Sequence, residues 1–259
     1  MEPFFFGNSG KTLFGVYHQP VAQNIRDMGV VLCYPGPQEY MSAHWAFRRL
    51  AGLLSQSGFH VLRFDYFGTG DSSGESTRAN IAQWRTDIGT AVKELVDMSR
   101  VRGVSLMGGR LGAALAVQAT IGEIRLKNLV LWDPVVIGEA YIRELRALHE
   151  KFFAAICDGS EKREFTELLG YPVSAAMISE IEKINLLKQP HCMAEKVFII
   201  ASEERKEYLE LATEYETRGT AFEYRFVPDS TKWGSGEDFD QALLLNDVIH
   251  EIVAVIAGV

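Results

Sequence analysis

The chain has 259 residues, 47% of them hydrophobic, which is enough for one domain with a large buried core. Its formal net charge is −8 and no basic run stands out, which argues against binding to a nucleic-acid backbone. Residues 1–6 lack the basic segment of a signal peptide, and no apolar run approaches the ~18 residues of a membrane span. Cys33, Cys157 and Cys192 are scattered, form no zinc pattern and suit reduced thiols, so we expect a cytoplasmic protein.

Apolar periodicity predicts strands that alternate with helices through the first half of the chain. In chain order the predicted elements are an edge strand over 12–18, a strand over 29–34, a helix over 42–57, a strand over 60–65, a helix over 81–99, a strand over 103–107, a helix over 111–121 and a strand over 127–132. In the helix over 42–57, Trp45, Phe47 and three leucines are expected to form the apolar face, and Gly58 to end the helix.

The alternation stops over residues 138–189, which are charged, helical in pattern and interrupted at Gly170-Tyr171-Pro172. It resumes with a strand over 196–202, a helix over 204–218, a strand over 222–227 and a helix over 238–257. Strands alternating with helices favour a mostly parallel sheet covered on both faces. We therefore predict a single α/β domain over residues 1–259, with a helical cap inserted at about 138–189.

Residues 108–112 read Gly-Gly-Arg-Leu-Gly and lie between a predicted buried strand and a helix of small apolar residues. The glycines allow a sharp turn and close packing of the helix on the strand. Arg110 stays protonated and cannot attack a carbonyl carbon. It can instead hold a carboxylate or phosphate through parallel hydrogen bonds, near the positive end of the helix.

Three separated motifs resemble the α/β-hydrolase superfamily. Residues 62–74 are similar to the R-F-D-x-x-G-x-G-x-S-x-G segment of its serine-aminopeptidase-like branch, and residues 129–135 continue the resemblance. Residues 108–112 stand where that superfamily carries the Gly-x-Ser-x-Gly nucleophile elbow. The form of residues 108–113 resembles exosortase-associated hydrolases, which also lack the usual serine. The resemblance runs from about Val30 to the C-terminus and implies the α/β-hydrolase fold.

The resemblance also implies a catalytic triad in the order Ser, Asp or Glu, His, and the sequence departs from it. Arg110 replaces the serine, and residues 228–236, where the histidine is expected, contain none. His250 lies too far along, inside the last predicted helix. Glu203 or Glu204 could be the acid, although surface glutamates that start a helix are the simpler interpretation. Because nucleophile and base are both missing, standard Ser-His-Asp hydrolysis is excluded.

In α/β folds the pocket forms at the carboxyl ends of the strands, which gathers Arg110, residues 34–40, Asp133 and Lys232-Trp233 around one cavity. Arg110 either clamps an anionic group of a ligand or is neutralised by Asp133 or a glutamate. Some partner must exist, because an unpaired buried cation is very costly. Asp133 is either a site residue or a cap and partner of Arg110.

Residues 35–40 replace the His-Gly oxyanion loop of the superfamily, and Pro37 removes one N–H donor. Glu39 could be a base in the pocket, although a solvated loop charge is the simpler alternative. His44 is the one histidine with a path into the cavity, against a core or surface position. The candidate catalytic residues are Arg110, Asp133 and His44. The candidate substrate-binding residues are Gly36, Gln38, Glu39, Gly109, Leu111 and Trp233, the last as an aromatic wall.

Two functional hypotheses remain open. The first is a hydrolase-like enzyme of the esterase, thioesterase or acyl-transfer class with an altered active site, which processes an acyl ester or thioester bearing an anionic group in a biosynthetic pathway. The second is a pseudoenzyme that acts as a ligand-binding or scaffold protein. The expected partners are a small acyl, carboxylate or phosphate ligand and a second copy of the chain or a biosynthetic protein. No residue pattern indicates a metal or another cofactor.

Overall fold

A computed structural model describes residues 1–119, 126–153, 166–188, 194–229, 233 and 246–258. The strands are β1 (Glu2–Asn8), β2 (Lys11–His18), β3 (Met28–Cys33), β4 (His60–Phe64), β5 (Gly103–Gly109), β6 (Leu126–Trp132), β7 (Thr166–Leu168), β8 (Tyr171–Val173), β9 (Ala194–Ala201) and β10 (Phe222–Phe226). The helices are α1 (Pro37–Gln56), α2 (Ile81–Ser99), α3 (Leu111–Gln118), α4 (Gly138–Phe153), α5 (Ala175–Glu182), α6 (Lys206–Thr217) and α7 (Asn246–Ala257).

Eight of these strands form one sheet in the order β1-β2-β4-β3-β5-β6-β9-β10. β1 pairs antiparallel with β2, and β2 antiparallel with β4, while the remaining pairs are parallel. Helices lie on both sides of the sheet, as the sequence predicted. The central strands β3, β5 and β6 are almost wholly buried, which matches their continuous apolar runs. Their carboxyl ends meet at one edge of the sheet, where the candidate site residues lie.

Two predicted elements and the orientation of one side chain differ from the structure. The strand predicted at the sheet edge is the second strand, because β1 pairs outside it. α1 begins at Pro37, where a proline at the first helical position is well tolerated, and not at residue 42. Trp45 is 55% exposed and does not belong to the apolar face of that helix, which Phe47 and Leu50 help to form. Part of the helix predicted over 238–257 lies outside the described residues.

The segment between β6 and β9 contains α4, the β7–β8 hairpin and α5. α4 starts against the end of α5, since a Cβ placed on Gly138 would lie 1.7 Å from the Ile181 carbonyl oxygen. Glu180 on α5 accepts a hydrogen bond from the main-chain N–H of Ile81, at the start of α2 (2.7 Å). The Glu180 contact connects the segment to the start of α2. Within the described residues, no helix combines the length and apolar character needed to cross a bilayer.

A buried polar chain links the early strands. Arg63 on β4 donates from Nε to His18 Nε2 on β2 (3.1 Å) and from Nη1 to the Tyr34 hydroxyl (3.0 Å). His18 is 7% exposed. Burial and the neighbouring charge of Arg63 lower the pKa of His18 to about 4. The ring is therefore a neutral acceptor at neutral pH.

We expect His18 to contribute to the pH dependence of folding. Its folded-state pKa lies below the unfolded value of about 6.5, so the unfolded chain binds a proton that folded His18 does not. The stabilisation is present above the unfolded pKa and is lost as the pH falls from about 6.5 towards about 4. Between about pH 7 and about pH 5 this should amount to about 2 kcal/mol. Urea unfolding at both pH values should show a smaller difference for His18→Gln, which keeps an acceptor for Arg63; an equal difference would contradict the assignment.

Candidate functional site

The turn between β5 and α3 has the backbone of a nucleophile elbow. Arg110 adopts φ 50° and ψ −117°, a conformation that non-glycine residues rarely occupy. Its N–H donates to the Trp132 carbonyl (3.0 Å), and its carbonyl accepts from the N–H of Val135 (3.1 Å). Gly112 is required by packing, because a Cβ there would lie 2.1 Å from the Tyr34 carbonyl oxygen. The surroundings therefore hold this strained turn in place.

The Arg110 side chain is neutralised inside the protein by a glutamate. Its exposed fraction is 2%, and Nε donates to Glu39 Oε1 at 2.8 Å. The other oxygen of Glu39 accepts from the Tyr141 hydroxyl (3.0 Å), and the guanidinium carbon lies 5.5 Å from the centre of the Tyr141 ring. Glu39 is 1% exposed, so the alternative of a solvated loop charge is wrong: α1 begins at Pro37, and its first turn directs Glu39 inward. Burial raises the pKa of Glu39, which the charge of Arg110 opposes.

The charged network continues towards the surface. Glu144 Oε2 lies 3.6 Å from Arg110 Nη2, and the Glu144 carboxylate accepts from both terminal nitrogens of Arg205 (3.1 and 3.2 Å). Burial acts to raise the pKa of Glu144, but the hydrogen bonds from Arg205 and the charge of Arg110 together lower it. A cavity of about 20 Å³ remains beside Arg110, Tyr141, Glu144, Arg205 and Tyr208, which is room for about one water molecule. The space around the elbow is therefore filled by side chains.

Asp133 is held by residues other than Arg110. It is completely buried, and Oδ1 accepts from the main-chain N–H of Ser202 (2.7 Å). Oδ2 accepts from the Ser202 hydroxyl (2.5 Å) and from Trp233 Nε1 (2.8 Å). Burial raises the pKa of Asp133, and the hydrogen bonds from Ser202 and Trp233 oppose that rise. From the sequence, the internal partner of Arg110 is expected to be Asp133 or a glutamate. In the structure the partner is Glu39.

Trp233 follows β10, in the loop where the superfamily order puts the triad histidine. It is 7% exposed and packs edge-on against Trp132, with ring centres 4.8 Å apart. A Cβ on Gly109 would lie 3.4 Å from the Trp233 ring. The indole thus donates to a buried carboxylate behind the elbow, and it has no lone pair with which to accept a proton.

Tyr141 occupies the region next to the former oxyanion loop. A Cβ on Gly36 would lie 2.9 Å from the Tyr141 hydroxyl. The Gly36 carbonyl accepts from the N–H of Glu39 (3.0 Å), which belongs to the first turn of α1. Gln38 and Leu111 are buried nearby, with exposed fractions of 6% and 1%. Pro37, the first residue of α1, has no N–H to offer, so a main-chain donor is missing at this position.

His44 does not line the cavity beside Arg110. It is half-buried and stacks on Tyr34 with ring centres 6.4 Å apart, with Tyr40 and Trp45 close by. Burial and the charge of Arg63 lower its pKa. The structure therefore brings Arg110, Glu39 and the oxyanion loop together and leaves His44 apart from them.

Sequence reasoning missed Tyr141, Glu144 and Ser202. Tyr141 and Glu144 are three positions apart on α4, so they lie on the same helix face, a spacing that could have pointed to them. Ser202 directly follows β9, the strand that neighbours β6, and this position brings it to Asp133. Among the described residues, no three His, Cys, Asp or Glu side chains form a group that could hold a metal ion.

A larger cavity, which we call the aromatic pocket, is lined in part by the loop after β3. Its volume is about 260 Å³, and its described walls come from that loop, α1, the turn after β4, α2 and the β7–β8 hairpin. The residues that give it its chemical character are Tyr34, Tyr40, Asp65, Tyr66, Trp84 and Tyr171. A narrower space of about 20 Å³, which shares Pro37 and Trp84 with it, extends towards Gln38 and Leu111.

The sheet order and the elbow geometry define an α/β-hydrolase. Residues 27–183 match the sequence model of the family described as serine aminopeptidase, S33, and the chain belongs to this family. Residue-level similarity extends to the mitochondrial palmitoyl-protein thioesterase ABHD10 of Homo sapiens and of Pongo abelii, each 30% identical over 93 residues. That match spans 36% of this chain and 29% of the relatives' length.

Solved structures share the fold over nearly the whole chain. Est1E from Butyrivibrio proteoclasticus with bound ferulic acid gives a TM-score of 0.67 at 16% identity, covering 98% of this chain and 99% of that one. The mouse α/β-hydrolase domain-containing protein 10 gives 0.59 at 18% identity, covering 98% and 100%. At these identities the likeness establishes the fold, and the activity has to be argued from the site.

Proposed function

We propose that this protein is a non-hydrolytic member of the serine aminopeptidase S33 family that binds a small ligand. The observation that carries the proposal is the buried Arg110–Glu39 ion pair at the nucleophile position, 2.8 Å from nitrogen to oxygen. A guanidinium in this place supplies no nucleophile, and Glu39 has its two oxygens directed at Arg110 and Tyr141. Of the two hypotheses drawn from the sequence, the geometry favours the pseudoenzyme.

The other parts of a hydrolytic site are also replaced. Trp233 stands in the loop of the base and donates to Asp133, and an indole N–H cannot take a proton from a hydroxyl group. Tyr141 lies against Gly36, where the carbonyl of an ester would have to approach the oxyanion loop. An anionic ligand gains little from Arg110, because Glu39 and Glu144 already face its guanidinium. These replacements argue against the hypothesis of an enzyme that processes an acyl ester or thioester and binds its anionic group through Arg110.

The ligand is proposed to occupy the aromatic pocket, which is larger and less polar than the cavity beside Arg110. The names of two similar proteins indicate ligands with an apolar or aromatic part: ABHD10 is by name a palmitoyl-protein thioesterase, and Est1E was solved with ferulic acid bound. A ligand with an apolar or aromatic body fits the rings that line this pocket. We further propose a cytoplasmic protein that acts as a homodimer or beside a biosynthetic protein.

The test is hydrolysis of acyl esters and acyl thioesters, followed by mass spectrometry with separate scoring of released product and bound intact ligand. We expect no product from wild type, Arg110→Ala or Arg110→Ser, because none of them has a base. The matched control is Arg102→Ala, which removes an exposed arginine with a side chain 88% accessible. Product from wild type and Arg102→Ala that disappears in Arg110→Ala would overturn the proposed function, as would rapid turnover by Arg110→Ser.

A further inference from the structure

The aromatic pocket presents rings from separate parts of the chain to one cavity. Tyr34 follows β3, Tyr66 follows β4, Trp84 lies on α2 and Tyr171 on the β7–β8 hairpin. Tyr66 and Trp84 stack with ring centres 4.9 Å apart, and Tyr34 and Tyr40 pack at 4.8 Å. Aromatic side chains are therefore part of the wall of a space of about 260 Å³, together with three prolines and Met41.

The polar ends of four rings are already used inside the protein. The Tyr34 hydroxyl accepts from Arg63 (3.0 Å), the Tyr66 hydroxyl donates to the Tyr34 carbonyl (3.3 Å), and Trp84 Nε1 donates to the Phe67 carbonyl (2.9 Å). The Tyr40 hydroxyl donates to Asp65 Oδ1 (2.9 Å). These contacts fix the rings. Tyr34, Tyr66 and Trp84 are each only 2% exposed, so Tyr40 and Tyr171, which are partly buried, supply most of the ring surface that a ligand meets.

Asp65 gives the pocket its charge. Among the described residues that line it, Asp65 carries the one carboxylate, and no lysine, arginine or histidine is present. It is 6% exposed, and its Oδ2 accepts from the Asp71 N–H (3.0 Å). Arg63 is not part of the lining and donates instead to His18 and Tyr34. A ligand in the pocket thus meets ring quadrupoles and one buried carboxylate, both of which attract positive charge.

We propose that the aromatic pocket binds an organic cation, a quaternary or alkylated ammonium group carried on an apolar body. The inference rests on the proposed function for the choice of pocket and adds the chemical class of the ligand. Several aromatic rings around a desolvated ammonium are the arrangement that proteins use for quaternary amines. A carboxylate or phosphate ligand would face Asp65 without a compensating cation in the lining.

Two probes of nearly the same shape separate charge from apolar fit. Choline carries a trimethylammonium group, and 3,3-dimethyl-1-butanol has a neutral carbon in place of the nitrogen. Titration of each into the protein, followed by NMR chemical shifts, should give at least about tenfold tighter binding of choline. Equal affinities would overturn the inference in favour of an uncharged apolar site. If neither probe binds at probe concentrations of roughly tens of millimolar, the inference is overturned as well.

Substitutions at Tyr171, which lies on the β7–β8 hairpin outside the main core, test the contribution of an aromatic ring. Tyr171→Leu should weaken choline binding by about tenfold or more, while Tyr171→Phe, which keeps the ring, should stay within about twofold of wild type. Trp45→Leu removes an exposed aromatic residue outside the pocket and should leave the affinity unchanged. Asp65→Asn should weaken choline binding and not alcohol binding, with circular dichroism used to confirm the fold. Loss of choline binding in Tyr171→Phe to the same extent as in Tyr171→Leu would contradict a role for the ring.

The two proposals fail in different ways. Acyl-ester turnover that depends on Arg110 overturns the non-hydrolytic function and leaves the charge preference of the aromatic pocket standing. Equal binding of choline and its neutral isostere overturns the cation site and leaves the absence of hydrolysis intact.

Discussion

Glu39→Ala is expected to lose about 3–5 kcal/mol of unfolding free energy, the range for breaking a buried ion pair by removing one partner. The substitution leaves Arg110 at 2% exposure with Glu144 as its remaining carboxylate, at 3.6 Å. It also leaves the Tyr141 hydroxyl without its acceptor. Urea unfolding measures the loss. Glu203→Ala is the control, since its pair with Arg205 is partly exposed and such pairs contribute about 0–1 kcal/mol.

Replacing both Glu39 and Arg110 separates two contributions to stability: the cost of leaving the Arg110 charge buried without Glu39, and the net stabilisation by the ion pair itself. Glu39→Gln combined with Arg110→Met should be more stable than Glu39→Ala, because neither buried charge remains. Methionine, like arginine, has a Cβ, so both variants keep the backbone strain at residue 110 (φ 50°). The strain therefore cancels when their stabilities are compared. A loss below about 1 kcal/mol for Glu39→Ala would show that water reaches Arg110 and that the ion pair does not close the elbow.

The elbow could be predicted from sequence because it is a local feature. A buried strand, a glycine-rich turn and a helix of small residues follow one another over residues 103–118, and local periodicity carries that information. The partner of Arg110 could not be predicted in the same way. Glu39 is 71 positions away in the chain, and Tyr141 is 102 positions from Glu39. The sequence required a carboxylate for Arg110 but offered several.

The position at which α1 begins determines which carboxylate pairs with Arg110. With a helix starting at residue 42, Glu39 belongs to a loop and Trp45 to the apolar face. In the structure the helix starts at Pro37, so Glu39 lies in its first turn, where a negative charge is also favourable. The error of a few residues at the helix start therefore reversed the environment of Glu39. The outward position of Trp45 has a different cause, since residues two apart on a helix are about 200° apart and Trp45 is opposite the buried Phe47. Such boundaries depend on tertiary packing, here the contact of Tyr141 with Gly36, as well as on the local pattern.

Asp133→Asn is expected to lose about 2–4 kcal/mol, although Asn has nearly the same shape. The amide oxygen can replace Oδ1 as the acceptor for the Ser202 N–H. The amide nitrogen then faces Trp233 Nε1, which leaves a buried N–H without an acceptor at a cost of about 1–3 kcal/mol. The charge-assisted character of the remaining hydrogen bonds is lost as well. Asp97→Asn on the exposed side of α2 is the control and should stay within about 0.5 kcal/mol of wild type.

The double-mutant cycle with Trp233→Phe tests whether the indole has taken over the contact of the missing histidine. In the Trp233→Phe background no indole N–H remains to oppose the amide, so Asp133→Asn should cost at least about 1 kcal/mol less than in wild type. That coupling belongs to an internal bond between the two residues and arises without any substrate. A coupling near zero, measured by urea unfolding, would mean that Ser202 alone holds the carboxylate. Among the described residues, Trp233 would then contact the elbow through its packing on Trp132 and Gly109.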